Sequence, residues 1–245
     1  MRQASEFHAA LRLLASGITT AAASRALGIP RETLREWRFR GASDPPRGRQ
    51  GGPCPICGSG RLDTGAYAYL LGLYLGDGWL SACRRGVHRL RISLDARQPG
   101  IVDECVSAIA TVAPRQRVGL QTRDGCVVVG AYWRHWPCLF PQHGPGRKHT
   151  RSIDLAPWQW QLARRQADRL LRGLIHSDGC RVENRVGQRA YPRYFFSNRS
   201  PDILRIFCAA CDEIGVSWRR PSHKHISVAR AADVAALDAI IGPKG

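Results

Sequence analysis

Two nine-residue stretches, LLGLYLGDG at 70–78 and LRGLIHSDG at 171–179, carry one pattern. Each places a small residue third, surrounds it with apolar side chains and ends on an aspartate followed by glycine. Asp77 and Asp178 stand 101 positions apart, about the length of a small domain. The likeness continues beyond the stretches. From the aspartate to the proline opening the next helical pattern is 22 residues in the first passage (Pro99) and 23 in the second (Pro201). Between these points each passage alternates apolar and polar residues as a hairpin does, in GVHRLRISLD and then in CRVEN with YPRYFFSN. A second strand pair follows each helix, QRVGLQTRDGCVVVGAYW with Asp124-Gly125 as turn signal, and SWRRP with HISVAR. A last helical pattern runs to Ile241. The pattern predicts a mixed α/β (α+β) domain over 66–245, built as a pseudo-symmetric αββαββα duplication. Its halves span about 66–142 and 155–241, joined by the basic connector PQHGPGRKHTRS.

Gly72 and Gly76 are four apart, as are Gly173 and Ser177, so each segment has a stripe of small residues along one helical face. Such stripes let two helix backbones approach closely. Leu71, Leu75, Leu171 and Leu174 supply apolar material around them. Gly78 and Gly179 fall where the helices end, and a left-handed turn is expected at each. Asp77 and Asp178 then occupy the last helical turns. That is the negative end of the helix dipole, where a carboxylate is unfavourable unless a cation joins it. Two such ends side by side make a hard-oxygen site suited to Mg²⁺, which accepts one or two carboxylates together with phosphate oxygens and water. The formal charge of +18 makes a polyanion the expected partner, and double-stranded DNA would bring the phosphate.

The paired segments resemble the motifs of the LAGLIDADG (dodecapeptide) homing endonucleases in their single-chain form, over residues 66 to 241. The whole chain is similar to bacterial proteins that place a helix-turn-helix ahead of such a domain. The resemblance implies that the motif helices form the interface between halves and that two four-stranded saddles sit over the DNA major groove. It also implies that Asp77 and Asp178 bind the divalent metal and are catalytic, one serving each strand, in a Mg²⁺-dependent double-strand break with short overhangs. The sixth motif position, often acidic in the family, is Leu75 in one copy and His176 in the other. Related bacterial regulators keep the fold without the acids, so a non-cleaving DNA-binding regulator is the alternative. A recombination accessory protein, binding DNA without marked sequence preference, is a third reading.

Arg89, Arg91, Arg181, Arg185 and Arg193 fall on hairpin positions, and arginine matches the paired acceptors of guanine. Lys224 and His225, near the final hairpin, are candidates to position water or offset phosphate charge. The first 41 residues form a separate all-α unit. Phe7, Ala10, Leu11 and Leu14 make one helical stripe, Gly17 ends that helix, Thr19 or Thr20 caps a second, and Pro30 opens a third. The unit resembles a helix-turn-helix in which Arg31, Glu32, Thr33 and Arg35 reach base edges while Leu34 and Trp37 are buried. Residues 42–65, rich in Gly and Pro, read as a linker.

That stretch contains Cys54-Pro-Ile-Cys57, shaped like a zinc knuckle, so Zn²⁺ is a second candidate cofactor. A structural zinc needs four ligands, and the pairs considered to complete it are Cys208 with Cys211 or Cys83 with His88. Cys105, Cys126, Cys138 and Cys180 read as small buried hydrophobes, and YWRHWPCLF at 132–140 as core packing. His143 and His149 need no catalytic role. Nine cysteines, an odd number, fit reduced thiols in the cytoplasm better than a secreted disulfide framework. No run of about 18 apolar residues exists, so no membrane span is expected. The expected form is a monomer with internal pseudo-two-fold symmetry.

Overall fold

The apolar stripe of the first helix, α1 (Ala4–Ala15), closes on α2 (Thr20–Leu27) and α3 (Arg31–Arg40) through Phe7, Ala10, Leu14, Ala23, Ile29, Leu34 and Trp37. The Thr19 side chain caps α2 by accepting from Ala22 N–H at 3.3 Å, and Gly28 ends it in the left-handed region at φ 62°. These elements come from a computed structural model that describes residues 4–40 and 54–242. The chain divides into two units, Met1–Gln50 and Gly51–Gly245. The portion of the expected linker at 42–53 lies outside the described residues.

The second unit opens on α4 (Thr64–Asp77), capped by the Asp63 carboxylate, which accepts from Ala66 N–H at 2.8 Å. Tyr67 through Leu75 are all buried, so this helix is wrapped on every side. The chain continues through β1 (Gly78–Ala82), β2 (His88–Asp95), α5 (Pro99–Val112), β3 (Val118–Arg123), β4 (Cys126–Trp133) and a single turn, α6 (Trp136–Leu139). The second half runs α7 (Pro157–Arg165), α8 (Ala167–Asp178), β5 (Gly179–Val186), β6 (Arg189–Ser197), α9 (Pro201–Glu213), β7 (Arg219–Ser222), β8 (His225–Val228) and α10 (Ala231–Ile241). Two antiparallel four-stranded sheets result, ordered β1-β2-β4-β3 and β5-β6-β8-β7. The same strand order in both is the internal repeat seen in three dimensions. The copies differ at their ends. α6 is one turn where α10 has 11 residues, and α7, which the periodicity did not separate, precedes α8 with a break at Gln166.

The small-residue stripes meet. A Cβ built on Gly72 would lie 2.5 Å from Leu170 O and 2.7 Å from Leu174 N, and one on Gly173 would strike Tyr69 O. A Cβ on Gly76 would strike the Ser177 side chain. α4 and α8 therefore pack backbone to backbone along the seam between the halves. The left-handed turns expected after them are absent: Gly78 (φ −95°) and Gly179 (φ −103°) are extended and lead straight into β1 and β5. Glycine is needed there for space. A Cβ on Gly78 would be 2.5 Å from Tyr74 Cα, and one on Gly179 would be 2.7 Å from Ile175 Cα.

Candidate nucleic-acid interface and catalytic cleft

Because each strand leaves directly from a motif helix, the helix ends and the open sheet faces share one surface. On β2 the buried residues Leu90, Ile92 and Leu94 alternate with Arg89, Arg91 and Ser93, so the arginines stand on the face away from the helices. Each lies over the ring of its cross-strand neighbour: Arg91 over Trp79 at 5.7 Å and Arg89 over Tyr132 at 5.2 Å. In the second sheet Tyr194 and Phe196 face the core while Arg193 faces out, over Phe195 at 5.6 Å. Arg193 also borders a groove of 630 Å³ with Arg219 and Arg230. The Nε atoms of Arg89, Arg91 and Arg193 find no hydrogen-bond partner among the described residues. A guanidinium held flat by an aromatic ring presents its remaining N–H groups outward.

Arg181 and Arg185 are placed differently. Arg181 pairs with Tyr194 and Arg185 with Ala190, so both share the helix-facing side of the sheet. Arg181 reaches Asp238 of α10 at 2.8 and 3.0 Å, and Tyr194 Oη donates to the same carboxylate at 2.6 Å. The Arg181 guanidinium holds Asp238 below the usual carboxylate range, with Tyr194 adding to the effect. Arg185 lies 3.9 Å from Glu183. One residue of register exchanges the two faces of a sheet, so this pair does not share the outward face of Arg193.

Asp77 and Asp178 line one cleft of 590 Å³ at the joined helix ends, with Trp79, Ser93, Lys148, His149, Lys224 and His225. The Asp178 carboxylate comes close enough to α4 that a Cβ on Gly76 would be 2.9 Å from its Oδ2. Asn198 Nδ2 donates to that oxygen at 2.6 Å. Ser197 Oγ and His225 Nδ1 lie 2.6 Å apart, which fixes the imidazole at the cleft wall. Lys224 and His225 of the final hairpin line this cleft, and His149, set aside in the sequence, lines it with them.

Sequence reasoning missed Lys148. It comes from the connector and donates through Nζ to the last carbonyls of α4: Leu75 O at 3.0 Å, Gly76 O at 2.8 Å, and Tyr74 O. Burial pushes its ammonium down to about 8, against the pull of Asp178 and then Asp77. A lone lysine in a basic connector gives no sequence signal that it will cap a helix 72 to 74 residues earlier. His176, at the variable motif position, is buried with its Nδ1 2.9 Å from Tyr69 Oη. It lies beside the Arg172–Glu104 ion pair (2.7 Å) and is part of the seam.

In the first unit Arg31, Glu32 and Arg35 are exposed, Thr33 is half-buried, and Leu34 and Trp37 are in the core. Glu32 and Arg35 pair with each other at 2.9 Å on the surface. The cysteines need three corrections: Cys126 is only half-buried, and two more depart further. Cys180 is exposed rather than buried, and Cys138, read as a core filler, lies with Cys54, Cys57 and His135. Neither Cys208 with Cys211 nor Cys83 with His88 joins that cluster.

No protein-family model and no curated protein matches this chain. Among solved structures, mesophilic variants of the homing endonuclease I-DmoI are 14% identical over 74% of this chain and 91% of theirs, with a TM-score of 0.49. I-DmoI in complex with DNA and Mn is 15% identical over 74% and 99%, at 0.49. The N-terminal LAGLIDADG domain of DUF199/WhiA is 11% identical over 81% and 86%, at 0.48. No described helix is long and apolar enough to cross a membrane.

Proposed function

We propose that this chain binds double-stranded DNA across its two open sheet faces and hydrolyses one phosphodiester of each strand at Asp77 and Asp178. The observation that carries the reading is the shared cleft: two carboxylates, each on the last turn of its own helix, in a surface flanked by ring-supported arginines. The donor set fits Mg²⁺, since carboxylate oxygens from both halves face one space and Asn198 orients one of them. Asp77 and Asp178 would hold the ion, which when bound supplies Lewis acidity toward the scissile phosphate. The chain's own residues do the rest. Arg89, Arg91 and Arg193 take backbone and base contacts, Lys224 and His225 offset phosphate charge, and the exposed first turn of α3 adds a second DNA contact.

One observation favours a non-cleaving regulator instead. The Lys148 ammonium already sits by the two carboxylates and the α4 carbonyls, supplying a positive charge the helix ends require. The two readings separate in a cleavage assay. DNA selected by the full chain from a random pool is cloned and incubated with Mg²⁺ and either the wild type or Asp77→Asn/Asp178→Asn. Double-strand cuts by the wild type alone are expected. Retained tight binding with no cut at any selected site removes the nuclease and leaves the regulator.

A further inference from the structure

We infer that Cys54, Cys57, His135 and Cys138 form a structural zinc site that clasps the segment before α4 to the end of the first sheet. The inference is independent of any activity toward DNA. Sequence separates the pairs by 78 residues, yet their ligand atoms all lie within 4.8 Å of one another. Cys57 Sγ is 3.3 Å from His135 Nδ1 and 3.8 Å from Cys138 Sγ, and Cys138 Sγ is 3.9 Å from His135 Nδ1. A tetrahedral zinc with Zn–S near 2.3 Å and Zn–N near 2.0 Å requires edges of about 3.8 Å between sulfurs and about 3.5 Å between sulfur and nitrogen. Cys57, His135 and Cys138 stand close to the edge lengths such an ion needs, and Cys54 Sγ lies within 4.8 Å of all three.

Both halves of the site are shaped for ligation. Cys54 O accepts from Gly58 N–H at 2.9 Å and Gly60 N–H at 3.3 Å, folding residues 54–60 into a tight turn, and Ile56 N–H points at Cys54 Sγ from 3.4 Å. A backbone N–H directed at sulfur stabilises a thiolate. Across from it, the single turn of α6 puts Cys138 three residues after His135 and on the same side, while Trp133 packs edge-on against the His135 ring at 5.3 Å. Among the described residues the segment has little other anchorage. Cys54 is its one buried side chain from 54 to 60, and Ile56 is exposed. A turn with so little apolar burial is held by a cross-link or not at all. Three cysteines and one histidine are a familiar structural zinc set, and binding would release the three thiol protons to solvent.

The test uses the full chain purified without chelator. Elemental analysis is expected to give one zinc per chain in the wild type and in Cys180→Ser. Cys57→Ser and His135→Ala are expected to lose metal affinity by more than the roughly 100-fold that removal of an outer partner costs, and His135→Cys to retain the ion. Cobalt exchanged into the wild type should give the visible absorption of a tetrahedral site together with a thiolate charge-transfer band. Where a variant misfolds, chelator treatment of the wild type provides the second arm. Tryptic cleavage after the exposed Arg61 should then accelerate about tenfold or more as the turn is released. Absence of zinc from a folded wild type that also takes up no cobalt, or a disulfide between any two of these cysteines in the reduced-cell product, overturns the site.

Discussion

The seam between α4 and α8 makes an unusually sharp prediction, because the atoms that would block a side chain at Gly72 are backbone. In Gly72→Ala the new Cβ starts 2.5 Å from Leu170 O and 2.7 Å from Leu174 N, whereas ordinary contact begins at 3.4 Å. Neither obstacle can rotate away, so the helices must part by about 0.9 Å, a gap that forfeits roughly a quarter to a half of each dispersion contact across the seam. Overpacking of this kind costs about 1–3 kcal/mol. The better helix propensity of alanine returns at most about 1 kcal/mol. With backbone obstacles the cost falls at the upper end, leaving a net loss of about 2 kcal/mol. For a unit of this size that lowers Tm by about 4–8 °C. Gly100→Ala is the matched control, since Gly100 is also helical and a Cβ there meets nothing within 4 Å. It should raise Tm slightly. Gly72→Ala/Gly173→Ala should cost less than the sum of the single changes, because one separation relieves both clashes. Scanning calorimetry decides the matter: a Gly72→Ala protein as stable as Gly100→Ala refutes the close-packed seam.

Two further substitutions probe charges at element ends. Lys148→Met strips a charge-assisted donor from three α4 carbonyls and should destabilise by about 2 kcal/mol; Mg²⁺ should then raise its Tm more than it raises the wild type's, and an equal response to Mg²⁺ would show that the lysine and a metal do not answer the same need. Asp238→Asn should be less stable than the wild type near neutral pH. The wild-type carboxylate has a folded pKa depressed by Arg181, so its contribution is present above the unfolded value of about 3.9 and is lost as pH falls through the folded one. The stability gap should therefore begin to narrow as pH falls below about 5 and go on narrowing as it falls through the depressed folded value, and a gap that does not narrow on acidification argues against the pair.

Much of the second unit was legible because its signals are local and repeated. Pro99 and Pro201 open α5 and α9, Asp124-Gly125 makes the β3–β4 turn, and the small residues at 72, 76, 173 and 177 mark the seam. What was not legible depends on register and on distance along the chain. Alternation shows that Arg181 and Arg193 both lie on strands, yet only the pairing of Arg181 with Tyr194 puts one on the helix side and leaves the other outside. The CPIC turn declared half of a ligand set. Its complement, His135-x-x-Cys138, has the same spacing but is embedded among Trp133, Trp136 and Phe140, where an aromatic-rich run reads as core. Gly78 and Gly179 were correctly marked as helix ends for a reason that proved sterically different, crowding against the preceding turn rather than a positive φ.

Lys148 belongs to neither repeated half but to the strip of chain that joins them. Two separate copies of either half, associating as equals, would bring a pair of aspartates together without Lys148 beside them. The connector contributes the ammonium of Lys148, and it bonds the carbonyls of the first motif helix rather than the second. The tether thus breaks the equality of the two halves at the place where equality would be most expected. Any attempt to split the protein into two cooperating chains must decide which fragment inherits residue 148.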